Sequence, residues 1–306
     1  MTPITQHLGL KGIFNLKFTN VNTGQVRELE FENLILNSGL DRMAAGAFIA
    51  GCVLGSASST PVVTDTSITS ILGSSTTLQA YGVGTANTST TPYWCSYYWT
   101  YRFIEGVATG NISQVAMAFD TINTGSNTYT GLFSLALVKD SGGTPITITK
   151  LADEVLDVTY TLQLFCPTSD VTGVVSISGI DYNYTVRPSS AASWNASSGL
   201  ESIWVVGAFS GVIGTQLGTP SGTGAYNDST PTFSSYTTGT FTRDLAVLWD
   251  LNQGNVGGIR AVVIAAGTGG GIRWQVEYSR VSDSAAIPKD AAKRLTLNFR
   301  FSWGRV

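Results

Sequence analysis

The chain has 306 residues, 12% charged and 43% apolar, with 34 glycines, three cysteines and one histidine. Globular chains usually carry about 25% charge, so this apolar-rich, charge-poor composition excludes intrinsic disorder. A formal net charge of −3 argues against a protein that grips nucleic acid through a basic field. The length allows two cores of roughly 150 residues each.

The start of the chain, with His7, reads as a mobile tail without a basic segment leading into an apolar core, so no secretory signal is expected. Phe14, Leu16 and Phe18 then alternate with Asn15, Lys17 and Thr19. After a turn at Asn22-Thr23-Gly24, Leu29 and Phe31 alternate with Glu28, Glu30 and Glu32. That is a hairpin with one oily and one charged face. One short helix is predicted over 39–49, with Ser38 as its cap and Asp41 completing a box-like start. The longest apolar stretch, 43–54, has about 12 residues where a membrane span needs roughly 20.

Two long segments rich in Ser, Thr, Gly and Asn, 56–92 and 217–240, read as surface loops or weak edge strands. Both are nearly free of charge, which fits burial against another subunit. Between them come an aromatic strand over 93–103 and alternating runs at Leu156–Leu164 and Ile180–Val186. Two more follow at Trp274–Tyr278 and Leu295–Trp303. Each fits an antiparallel strand with one buried face. The expected fold is therefore all-β.

The chain also repeats itself. Residues 148–156 (ITKLADEVL) align without a gap on 287–295 (IPKDAAKRL), matching Ile148 to Ile287, Lys150 to Lys289, Ala152 to Ala291 and Leu156 to Leu295. Upstream, Gly110-Asn111-Ile112 corresponds to Gly254-Asn255-Val256, and Gly12 and Gly173 each open a first strand. The order of matched features predicts an internal duplication: two antiparallel β-sandwich domains, Ig-like or jelly-roll-like, over 1–168 and 169–306.

Chemistry is sparse. A single histidine leaves His7 as the only base for a nucleophilic triad. Cys52, Cys95 and Cys166 are too scattered for zinc or a disulfide framework and read as buried thiols. Asp153, Glu154 and Asp157 read as surface charge at a strand entry, and Asp244 and Asp250 are isolated. Gly267–Gly271 reads as a hairpin turn, because strands flank it and a phosphate loop needs a following helix. Tyr93, Trp94, Tyr97, Tyr98, Trp99 and Tyr101 suggest a strand buried on both faces or packed against a neighbour, or else a sugar-stacking platform. No catalytic, cofactor-binding or metal-ligating residue is expected. Lys289, Lys293, Arg294, Arg300 and Arg305 form a basic stripe opposite in sign to Glu28, Glu30 and Glu32. These stripes could set a register between subunits.

The segment Asn33-Leu34-Ile35-Leu36-Asn37-Ser38-Gly39-Leu40-Asp41 resembles one that follows the first hairpin in tailed-bacteriophage virion proteins of the tail and tail tip. Residues 110–115, 132–138 and 153–160 are similar to the strand pattern of that family, and the closing Phe301-Ser302-Trp303-Gly304-Arg305 to its terminal strand. The resemblance implies a non-enzymatic structural component of the virion tail, at the tail tip, baseplate or fibre-attachment region. It would self-associate as a trimer or hexamer and contact other tail proteins, without nucleic acid or a membrane span. A receptor-binding adhesin for host glycans and a head decoration protein are the alternatives.

Overall fold

The computed structural model describes residues 2–46, 49–191, 200, 203–266 and 271–306. The first half contains β1 (Ile4–Asn20), β2 (Val26–Glu32), β3 (Leu34–Ile35), α1 (Asn37–Arg42), β4 (Gly51–Gly55), β5 (Ile71–Ser75) and β6 (Leu78–Asn87). It continues with β7 (Trp94–Phe103), β8 (Gly110–Ile112), β9 (Gln114–Asn123), β10 (Thr128–Leu137), β11 (Ile148–Lys150) and β12 (Glu154–Phe165). The second half contains β13 (Val171–Ile177), β14 (Ile180–Ala191), β15 (Ile203–Phe209), β16 (Gly224–Tyr226) and β17 (Thr230–Phe233). It ends with β18 (Thr242–Trp249), β19 (Ala261–Ala266), β20 (Ile272–Arg280) and β21 (Leu295–Arg305). The fold is all-β, as its alternating runs dictate.

An eight-stranded sheet organises the molecule in the order β17-β18-β21-β1-β12-β7-β6, with β2 also on β1. Strand β1 has two different neighbours on one side: Ile4–Leu10 run parallel to β21, and Ile13–Thr19 run antiparallel to β2. On its other side Gly9–Asn20 pair antiparallel with β12. The inward positions of β1 (Ile4, Leu8, Leu10, Phe14, Leu16, Phe18) are buried, as are Phe299, Phe301 and Trp303 of β21 and the alternate residues Leu156–Leu164 of β12. Each such side chain contributes about 1.5–3 kcal/mol on full burial.

Two smaller sheets cover this inner face. The sheet β3-β10-β9-β4-β5 lies over β1 and β12, where Phe133 meets Tyr160 edge-on at 6.1 Å. The sheet β13-β14-β20-β19-β15-β16 lies over β21, where Trp274 meets Phe301 at 5.5 Å. One apolar core runs through both parts. The boundary expected at 168/169 falls between β12 and β13, and the large sheet crosses it.

Strand order recurs between the halves. The orders β3-β10-β9-β4-β5 and β14-β20-β19-β15-β16 correspond strand for strand, and so do β6-β7-β12 and β17-β18-β21. Ile148 faces Ile112 across a short ribbon, and Ile287 faces Ile259. Ile112 therefore corresponds to Ile259; the Gly-Asn-Val alignment at 254–256 is displaced by three residues. Lys150 and Lys289 are both buried, and their ammonium groups donate to the Ile104 carbonyl (3.1 Å) and Asn255 Oδ1 (2.7 Å). The halves differ at the first hairpin: β13-β14 stays in the six-stranded sheet, and β1 takes the place beside β21.

Several expectations are corrected. The start of the chain is a strand, because Ile4–Leu10 find a parallel partner and Ile4, Leu8 and Leu10 reach the core. The helix is a six-residue turn, Asn37–Arg42, with Leu36 at its N-cap and no side-chain cap. Ser38 donates instead to the Leu132 carbonyl at 2.6 Å, and residues 47–48 lie outside the described residues. Gly12 and Gly173 lie inside β1 and β13 and do not open them.

Candidate functional site

Two of the segments singled out in the sequence, 33–41 and 301–305, meet at one place, where the halves lock together. After β2 the chain must turn under the five-stranded sheet, and Gly39 permits it: a Cβ there would lie 2.1 Å from the Phe133 carbonyl oxygen. The Leu36 amide donates to the same carbonyl at 2.9 Å. Trp303 of the last strand donates its indole N–H to the Leu40 carbonyl at 2.8 Å and stacks on Tyr236, with ring centres 5.7 Å apart. The Tyr236 hydroxyl and the Gly239 amide donate to Asp41 Oδ1 at 2.5 and 2.6 Å. Burial, reinforced by the Asp41 carboxylate, pushes the Tyr236 hydroxyl above the usual phenol range. Arg305 donates to the Ile35 carbonyl and, at 2.7 Å, to Asn37 Oδ1, while its burial lowers its pKa.

The bonds of this clamp join distant parts of the chain. The arrangement positions backbone and rings. Asp41 fastens the 236–239 loop and caps nothing. Tyr236 and Gly239 sit in a Ser/Thr/Gly-rich stretch without periodicity, so sequence patterning gave no sign of them.

The other sequence candidates are dispersed. His7 Nδ1 lies 3.0 Å from Ser302 Oγ, and burial lowers its pKa. It lines a groove of about 720 Å³ with Phe165, Cys166, Val171 and the Lys11–Glu32 ion pair. Asp153 accepts from the side chains of Asn20 and Asn22, Glu154 pairs with Arg27, and Asp157 holds Arg102 through two bonds of 2.7 Å. These carboxylates serve three separate contacts. Asp244 holds Arg300 (2.6 and 2.7 Å) and Asp250 holds Arg294 (2.7 Å).

The charge stripes are thus largely balanced within one chain, since Glu28 and Glu32 pair with Lys17 and Lys11, Lys293 pairs with Asp290, and Lys289 is buried. All three cysteines are buried and free; burial pushes Cys95 and Cys166 up to about 12. Residues 267–270 of the glycine run lie outside the described residues, and the strands on either side pair antiparallel. Among the described residues no cluster of His, Cys, Asp and Glu could hold a metal, and no helix is long and apolar enough to cross a membrane.

The aromatic strand β7 alternates and is not buried on both faces. Cys95, Tyr97, Trp99, Tyr101 and Phe103 point into the core, while Trp94 and Tyr98 stay half-buried on the outer face. Any stacking platform is therefore limited to that outer face. Comparison with protein-family models, curated proteins and solved structures gave no match.

Proposed function

We propose that this chain is a non-enzymatic structural and assembly component of a tailed-bacteriophage virion, at the tail tip, baseplate or fibre-attachment region. One observation carries the reading. Two of the segments resembling that family, 33–41 and 301–305, meet in a clamp that fastens β21 to the segment following the first hairpin. Residues spent on holding two halves rigid suit a part that transmits position within a particle. The recurring strand order supports descent of the two halves from one duplicated module. A trimer of such chains presents six similar units and could join three-fold to six-fold symmetry.

The test is proteomics and antibody labelling of purified particles, with native mass spectrometry of the isolated protein. Fixed stoichiometry, label on the tail and an assembly of three or six chains are expected. Absence from purified particles, or a copy number unrelated to three, refutes the reading.

A further inference from the structure

Strand β6 forms one margin of the large sheet and, among the described residues, pairs only with β7. In register, Leu78, Tyr81 and Val83 stand opposite Tyr101, Trp99 and Tyr97, which point inward and are buried. The three β6 residues share that core-facing side, yet are 42%, 62% and 51% exposed. The inner face of the large sheet thus continues onto β6 without cover. The margin is also electrically blank, with no Asp, Glu, Lys, Arg or His between Asp65 and Arg102. Natural sheets blunt such edges with charge, proline or brevity. The opposite margin does so, since β17 has four residues and carries Pro231.

We propose that β6 is the surface through which two copies of this chain join, pairing antiparallel about a two-fold axis through Gly82. The assignment rests on the self-association reading above and names its surface. Charge selects the occupant. A neutral strand offers a charged partner nothing, whereas a second β6 meets it without like-charge repulsion and satisfies both rows of backbone groups. The register places Tyr81 beside Val83 of the second copy on the uncovered face, an aromatic–β-branched pair of the kind that stabilises sheets. Irregularities between Leu78 and Ala80 and between Val83 and Ala86 confine the regular ladder to Ala80–Val83, which centres the contact there. Because both edges are consumed, the contact closes on itself; combined with a three-fold axis it gives a hexamer.

Gly82→Cys tests the contact directly. A Cβ at Gly82 would meet only Tyr98, at 3.8 Å, and the native thiols are buried. Directly opposed residues in an antiparallel pair have Cα atoms roughly 4.5–5.5 Å apart, within disulfide range. Mild oxidation should give a covalent dimer on a non-reducing gel, whereas Val174→Cys, on the margin β13, should not. Val83→Lys should weaken association about tenfold or more by placing like charges across the seam. A wild-type assembly that neither cross-links through Gly82→Cys nor responds to Val83→Lys overturns the β6 assignment and leaves self-association standing. A wild-type protein that stays a single chain at every concentration overturns both. If Val83→Lys loses its β-sheet circular dichroism, the Gly82→Cys result decides.

Discussion

Removing Trp303 probes whether the clamp makes one body of the two halves. Its side chain is 2% exposed, bonded to Leu40 and stacked on Tyr236. Truncating a buried aromatic side chain costs about 3–5 kcal/mol, because the cavity collapses only in part. Trp303→Phe keeps most of the ring and loses chiefly the hydrogen bond, worth about 1 kcal/mol. Equilibrium urea unfolding should therefore rank wild type, Trp303→Phe and Trp303→Ala at about 1 and 4 kcal/mol below the parent. Amide exchange supplies the sharper readout. Trp303→Ala should raise exchange in β9 and β10 together with β18 and β21, since α1 packs on β10 and Trp303 fastens α1. Loosening confined to 169–306, or a loss below about 1 kcal/mol in Trp303→Ala, refutes the clamp.

Three further outcomes are expected. Gly39→Ala would stabilise an ordinary helix, but here the added carbon lies 2.1 Å from the Phe133 carbonyl; thermal melting should fall, by the equivalent of about 1–3 kcal/mol. Gln6 is 1% exposed and neither amide atom has a partner among the described residues, so Gln6→Met should raise stability by about 1–3 kcal/mol in urea unfolding. Burial raises the pKa of Tyr101, Tyr160 and Tyr278, so the folded state keeps protons that unfolded tyrosine releases near pH 10. Their stabilisation is complete below pH 10 and is lost as pH rises beyond it, at about 4 kcal/mol per unit for three groups. Buried Lys150 and Lys289, whose pKa values are lowered by burial, slope the other way. Ultraviolet titration should show these phenols ionising only as the protein unfolds; smooth reversible ionisation of all tyrosines near pH 10 contradicts this.

The sheet faces were legible because alternation is local. Phe14, Leu16 and Phe18, or Leu295 through Trp303, declare their buried side within a few residues. The parallel pairing of Ile4–Leu10 with β21 was not legible, because it joins segments almost 300 residues apart and leaves no periodic trace in either. The helix start was misplaced, at 39 in place of 37, because Ser38 and Asp41 look like N-terminal capping residues. Both hydroxyl and carboxylate are spent on tertiary partners, Leu132 for one and the 236–239 loop for the other. Lys289 passed for surface charge; its burial on Asn255 shows only once the ribbon geometry is known. In the clamp, Asn33–Asp41 and Phe301–Arg305 stood out by resemblance, whereas Tyr236 is set by a loop that follows no pattern.

The placement of β1 fixes the order in which the molecule can be completed. During translation Ile4–Leu10 emerge well before their neighbour Phe299–Arg305, with almost 300 residues between them. One flank of β1 therefore stays open until the ribosome has made β21. Newborn chains carry an adhesive seam throughout that interval, and only the arrival of the closing strand retires it.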